Sequence, residues 1–203
     1  MLIVLTSEKE IVNEAALINQ LFEAGLHRLH LRKPQFTKSE YSKLLDQIEP
    51  QHYKKIMLHE YHDLVNAYDL RGMHLQEKAR RDLKRNLENF LAINEKSGYK
   101  VSSSFHTVEE IKDCGGLFEY VLLSPVFSSI SKLGYKGKNF DVNGVDEYVI
   151  GMGGINQDTL QATYDLGYQG VGVLGGVWNT TKPLESFKAI KSSYDAIFQN
   201  AIT

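Results

Sequence analysis

Eight short apolar runs recur along the chain, separated mostly by longer helix-patterned stretches, and this alternation constrains the fold more than any other feature. The runs are LIVLT (2–6), RLHLR (28–32), KIMLH (55–59), GMHL (72–75), KVSSS (100–104), YVLLS (120–124), YVIGM (148–152) and GVGVL (170–174). Short apolar runs of this length suit strands buried on both faces, as in parallel sheets. Helical signals lie between them. Within 8–24, Ile11, Ala15, Ile18, Leu21 and Phe22 fall on one face at helical spacing. Thr37, with Glu40 three residues on, reads as an N-cap and its capping box, and Thr107 with Glu110 repeats the signature. Such alternation implies a parallel sheet with right-handed crossovers. Eight units favour a closed (β/α)8 barrel over an open doubly wound sheet, and no GxGxxG follows the first run. Two stretches break the repeat. Between Lys132 and Tyr148 there is room for a loop and a very short helix at most, so the sixth crossover is predicted to be degenerate. Residues 76–99, basic and then apolar, are predicted to form a long fourth helix.

A chain of 203 residues, 42% hydrophobic and 24% charged, fits one domain over 1–203 with a sizeable core. The net charge of -2 gives no basic field for nucleic acid or an anionic membrane. The single cysteine, Cys114, excludes an intrachain disulfide and a cysteine-rich zinc site. The first apolar run is too short for a signal or a spanning segment, so a cytoplasmic protein is expected. Its expected partners are small phosphorylated molecules, with neither nucleic acid nor membrane, and a homodimer is compatible with the sequence.

In a barrel the chemistry sits at the C-terminal ends of the strands. Four successive strands end at or near a histidine: His30, His59, His74 and His106. They form either a metal cluster or separate polar contacts around the mouth with some rings buried. The absence of HxH or HExxH spacing favours the contacts. Arg32 is placed to clamp a phosphate or carboxylate, or to form a surface ion pair. Glu60 is either a Mg2+ ligand bridging a diphosphate or a solvated loop acid. Ser129, Ser131 and Lys132 gather hydroxyls and a cation in the loop after the sixth run. The glycine pairs Gly153–Gly154 and Gly175–Gly176 follow the last two runs, where backbone N–H groups can meet an anion.

These motifs, in order LHLRKP, LHEYHDL, GMHLQ, VSSSFHT, EYVLLSPVFSSISK, GMGGIN and GVGVLGG, resemble the thiamine phosphate synthase/TenI family over nearly the whole chain. The resemblance implies an enzyme that joins a hydroxymethylpyrimidine diphosphate to a thiazole phosphate and releases diphosphate with Mg2+. It assigns Arg32 and Lys132 to the diphosphate, and Ser129, Ser131, Gly154, Gly175 and Gly176 to the thiazole phosphate. Ser104 matches the serine after the fifth strand that faces the reacting groups. The family's loop pattern G-P-V-[FY]-x-T-x-T-K reads here Ser124-Pro125-Val126-Phe127-Ser128-Ser129-Ile130-Ser131-Lys132. Other departures are sharper. Gln-x-Arg-x-Lys becomes His30-Leu31-Arg32-Lys33-Pro34, the Asn-Asp pair becomes His59-Glu60, and the metal-binding Asp after GxHxGQ gives way to Glu77 and Lys78. The histidine of TenI-type thiazole tautomerases is replaced by Pro125, which leaves His106 for such a role. The resemblance therefore implies a synthase first, then a thiazole phosphate tautomerase, then a non-catalytic barrel that binds a phosphate of the pathway.

Overall fold

A computed structural model describes residues 1–114, 116–128 and 136–199. Eight parallel strands close into a barrel in sequence order. They are Leu2–Leu5 (β1), Arg28–Leu31 (β2), Ile56–Leu58 (β3), Gly72–Leu75 (β4), Lys100–Phe105 (β5), Val121–Leu123 (β6), Val149–Met152 (β7) and Gly170–Val173 (β8). Each bound falls within one residue of the run read from the sequence. β1 pairs with β8 as well as β2, Ile3 lying opposite both Gly172 and Arg28, which closes the cylinder.

The period-2 alternation of strand side chains divides the core in two. Ile3, Leu5, Met57, Tyr120, Leu122 and Ile150 pack together inside the barrel. Leu2, Val4, Leu29, Leu31, Val121 and Val171 join the larger shell between sheet and helices. That shell includes Ile18, Leu21 and Phe22 of Glu14–Glu23 (α1). The helix begins later than the 8–24 pattern implied, because Asn13 takes a left-handed φ of 57°. Residues 8–13 are thereby left as a loop at the barrel mouth.

Lys38–Leu45 (α2) opens with the expected capping box: Glu40 N–H donates to Thr37 Oγ1, and Thr37 N–H donates back to Glu40. Leu64–Ala67 (α3) is a single turn. The long fourth helix expected over 76–99 is instead two, Glu77–Leu83 (α4) and Leu87–Lys96 (α5). Lys84, at φ 46°, interrupts the helical path and a short 3-10 turn joins the pieces. In Val108–Asp113 (α6), Thr107 caps the Glu110 N–H. The Glu110 carboxylate is drawn away to Arg80 at 3.1 Å and Arg81 at 2.5 Å.

Among the described residues of the sixth crossover no helix forms. Val142 and Val145 are buried there, and Val142 N–H donates to Leu166 O. An irregular segment thus covers β6 and β7 where a helix would otherwise pack. Leu160–Asp165 (α7), Gly175–Trp178 (α8) and Pro183–Phe198 (α9) complete the chain. Trp178 Nε1 donates to Leu5 O at 2.6 Å, fixing α8 over the end of β1. Among the described residues no helix is long and apolar enough to cross a membrane.

Candidate active site

The strand ends from β1 to β4 are knitted together before any ligand is considered. Thr6 Oγ1 donates to Arg32 O at 2.9 Å and accepts from Arg32 N–H at 2.8 Å. This reciprocal pair fixes Arg32 at the rim, where its guanidinium pairs with Glu8 and its side chain stays 27% exposed. Of the two roles open to it, Arg32 forms an ion pair here, but one at a solvent-reachable mouth where an anionic ligand can compete.

Lys33 behaves differently. Its side chain is fully buried, with Nζ 2.6 Å from Glu14 and 2.9 Å from Lys9 O. The lysine that stands one place from the family position is therefore part of the packing. Its backbone N–H donates to the Tyr41 hydroxyl at 2.7 Å, and Tyr41 in turn donates to Glu60. Burial, then the bond to Glu60, raises the Tyr41 pKa and keeps its proton on oxygen. Gln76 Nε2 donates to the other Glu60 oxygen at 3.1 Å. Glu60 is thus a held carboxylate, not a freely solvated acid. Tyr41 gives no warning in the sequence, because it reads as one more apolar-face residue of α2.

The histidines do not make four separate contacts around the mouth. Three converge inside the barrel, because the phase of β2, β3 and β4 turns all three side chains inward. His30 Nδ1 lies 2.9 Å from His59 Nε2, and His30 Nε2 lies 2.7 Å from the Tyr120 hydroxyl. His30 is fully buried with both ring nitrogens occupied. His59 belongs to the same cluster and keeps 7% exposure. His74 bridges Ser102 Oγ at 2.8 Å and Ser104 Oγ at 2.7 Å. Burial is the main cause that lowers the pKa of all three rings, taking His74 down to about 3. Ser104, half-buried at the end of β5, has its hydroxyl aligned by His74.

His106 stands apart. Its Nδ1 donates to Ser124 O at 2.8 Å, and its Nε2 lies 3.7 Å from Glu77. Lys138 Nζ donates to His106 O at 3.3 Å and brings a cation to this side of the mouth.

The two glycine turns meet beneath the start of the sixth-strand loop. Val126 and Phe127 N–H groups donate to Met152 O and Gly153 O, laying the loop along the first turn. Gly153 and Gly154 have φ of 97° and 69°. A Cβ on Gly154 would fall 2.7 Å from Phe127 Cβ, so only glycine allows this approach. A Cβ on Gly176 would fall 3.2 Å from Ile155 O, which puts the second turn against the first. Among the described residues, the amides of Gly153, Gly154, Gly175 and Gly176 donate to no carbonyl in a turn, loop or cap. Ser129, Ser131 and Lys132 lie outside the described residues. Gly154→Ala is expected to displace Phe127 and, where the turn holds the thiazole phosphate that the resemblance implies, to weaken its binding about tenfold, the worth of one charge-assisted hydrogen bond. Calorimetric titration checks this, and unchanged affinity would remove the turn from the site.

Fold and mouth together define a (β/α)8 barrel with polar side chains gathered at the C-terminal ends of its strands. A sequence model of the thiamine monophosphate synthase family matches residues 1–177, and the chain belongs to that family. The family and fold are those of thiamine phosphate synthase, a transferase of thiamine biosynthesis. Thiamine phosphate pyrophosphorylase from Bacteroides thetaiotaomicron is 30% identical, covers 96% of this chain and 97% of its own, and superposes with a TM-score of 0.73. A pyrophosphorylase of the same description from Pyrococcus furiosus is 16% identical, with 97% and 96% covered and a TM-score of 0.74. A 3-hexulose-6-phosphate synthase, 13% identical with 94% and 98% covered and a TM-score of 0.67, shares the fold. No curated protein matches the chain.

Proposed function

We propose that this protein is a thiamine phosphate synthase, coupling hydroxymethylpyrimidine diphosphate to thiazole phosphate. The observation that carries the reading is the pair of adjoining glycine turns beneath the sixth-strand loop, whose amides donate to no carbonyl in a turn, loop or cap among the described residues. Those amides, with Ser129 and Ser131, would hold the thiazole phosphate. Arg32 and Lys132 would hold the diphosphate. The thiazole ring nitrogen attacks the pyrimidine methylene carbon, the carbon–oxygen bond to diphosphate breaks, and the electron pair leaves on diphosphate. Arg32 contributes by stabilising charge that grows on the leaving group, and the paired turns by orienting the nucleophile. Ser104, aligned by His74, faces the reacting groups.

Glu60 is the residue that would hold Mg2+, and its carboxylate is oriented for a ligand's role by Tyr41 and Gln76. A single carboxylate fits Mg2+ when substrate phosphates complete the shell. When bound, the ion would neutralise diphosphate charge. Glu77 is salt-bridged to Arg81 at 2.7 Å and faces His106, so the reading assigns the ion to Glu60.

One observation favours a second reading, a thiazole phosphate tautomerase. His106 is oriented by its Nδ1–H bond to Ser124 O and turns Nε2 toward Glu77, the placement a proton-transferring group needs. The two readings separate on His106→Ala. A synthase is expected to keep diphosphate release within about threefold, whereas loss of a tautomerase's acid/base group costs about 10²–10⁴ in isomerisation.

A further inference from the structure

The three inward histidines point beyond the proposed reaction, which uses only the Ser104 bond of His74. One nitrogen from each of His30, His59 and His74 lies within 4.8 Å of the others. The rings are close-packed, His59 stacking on His74 at 4.3 Å between centroids and His30 meeting them at 5.1 and 5.0 Å. His30 and His74 are fully buried, and His59 is 7% exposed. His30 and His59 stand where the resembling family carries glutamine and asparagine, so the resemblance assigns the cluster no role.

As a purely hydrogen-bonded network the cluster is incomplete. His59 Nδ1 is buried without a partner. The facing nitrogens of His30 and His59 must also share one proton. From these contacts we infer that His30, His59 and His74 form a transition-metal site of the zinc type, three imidazoles with a fourth position left for water or another small ligand. A metal ion would take the place of the shared proton. A tetrahedral site with Zn–N near 2.05 Å needs its nitrogens about 3.3 Å apart, so His30 and His59 need only separate slightly from 2.9 Å. The outer hydroxyls suit the same arrangement. His30 can donate its Nε2–H to Tyr120, and His74 can keep one of its two serine bonds while its other nitrogen exchanges a serine hydroxyl for the metal, the kind of support that orients metal-bound imidazoles. Burial favours the neutral form of all three rings, the form that ligates a metal. All-imidazole ligation selects Zn2+ or Co2+ over Mg2+, so the site is chemically distinct from Glu60.

The test uses the full chain, stripped with chelator and titrated with Zn2+ or Co2+ alone. Metal analysis and calorimetry should give one ion per chain. His59→Gln and His74→Gln should each weaken Zn2+ binding at least about a hundredfold, as loss of one of three ligands implies. Glu60→Gln should leave it within about threefold. If the histidine variants do not fold, the wild-type Co2+ spectrum decides. Intense visible bands of a four- or five-coordinate site support the inference, and the weak spectrum of six-coordinate Co2+ overturns it. Absence of stoichiometric binding, or binding indifferent to the histidines in folded variants, also overturns it. Diphosphate release is read separately, so failure of the metal site and failure of the synthase reading cannot be confused.

Discussion

Replacing Lys33 with alanine is expected to destabilise the protein by about 3–5 kcal/mol, the usual cost of breaking a buried ion pair. Lys33 has no exposed side-chain surface, and its partner Glu14 is only 6% exposed. One Glu14 oxygen already lacks a partner, and burial raises the pKa of its carboxyl against the opposing pull of Lys33. Without Lys33 that carboxyl must take up a proton or remain as an unpaired buried charge. The Lys33–Tyr41 bond anchors the Glu60 hydroxyl partner, so loosening this region also disturbs the mouth. At about 2–4 °C per kcal/mol for a chain of this size, the midpoint should fall by roughly 6–20 °C. Thermal melts of Lys33→Ala and of Lys33→Met with Glu14→Leu check the cause. The double replacement removes both charges and should recover most of the loss. A single-variant loss below about 1 kcal/mol would mean that the pair behaves like a screened surface bridge.

Arg32→Ala should act on the reaction with little effect on the fold. The side chain sits at the rim and its visible partner, Glu8, is itself exposed, so the melting midpoint should move little. Turnover is expected to fall about 10²–10³-fold, the range for removing one preorganised group that stabilises developing charge. Glu60→Gln should also lower turnover while leaving thiazole phosphate affinity within about twofold, because Glu60 belongs to the diphosphate side of the proposed site. Single-turnover diphosphate release, paired with calorimetric binding of thiazole phosphate, separates the two effects. An Arg32→Ala rate within threefold of wild type would remove Arg32 from the diphosphate site.

The barrel was legible because its strands are short, buried on both faces and rich in apolar residues, as in LIVL of β1 and VLL of β6. Both threonine caps were legible for a local reason: the partner lies three residues away. The break at Lys84 was not, because it depends on one left-handed residue in a stretch with strong helix formers on both sides. The histidine cluster was half visible. Strand ends could be read, but the inward phase that unites residues 30, 59 and 74 needs the closed barrel. Lys33 shows the same limit. The sequence shows only a lysine one place from the family position, whereas its burial against Glu14 comes from how the 8–13 loop and α1 return over β2.

The most direct test of the synthase reading is diphosphate release from hydroxymethylpyrimidine diphosphate and thiazole phosphate at saturation, with and without Mg2+. The account expects release that requires both substrates, depends on Mg2+ and yields thiamine phosphate in equal amount. A folded wild-type protein showing no Mg2+-dependent coupling above background would contradict it.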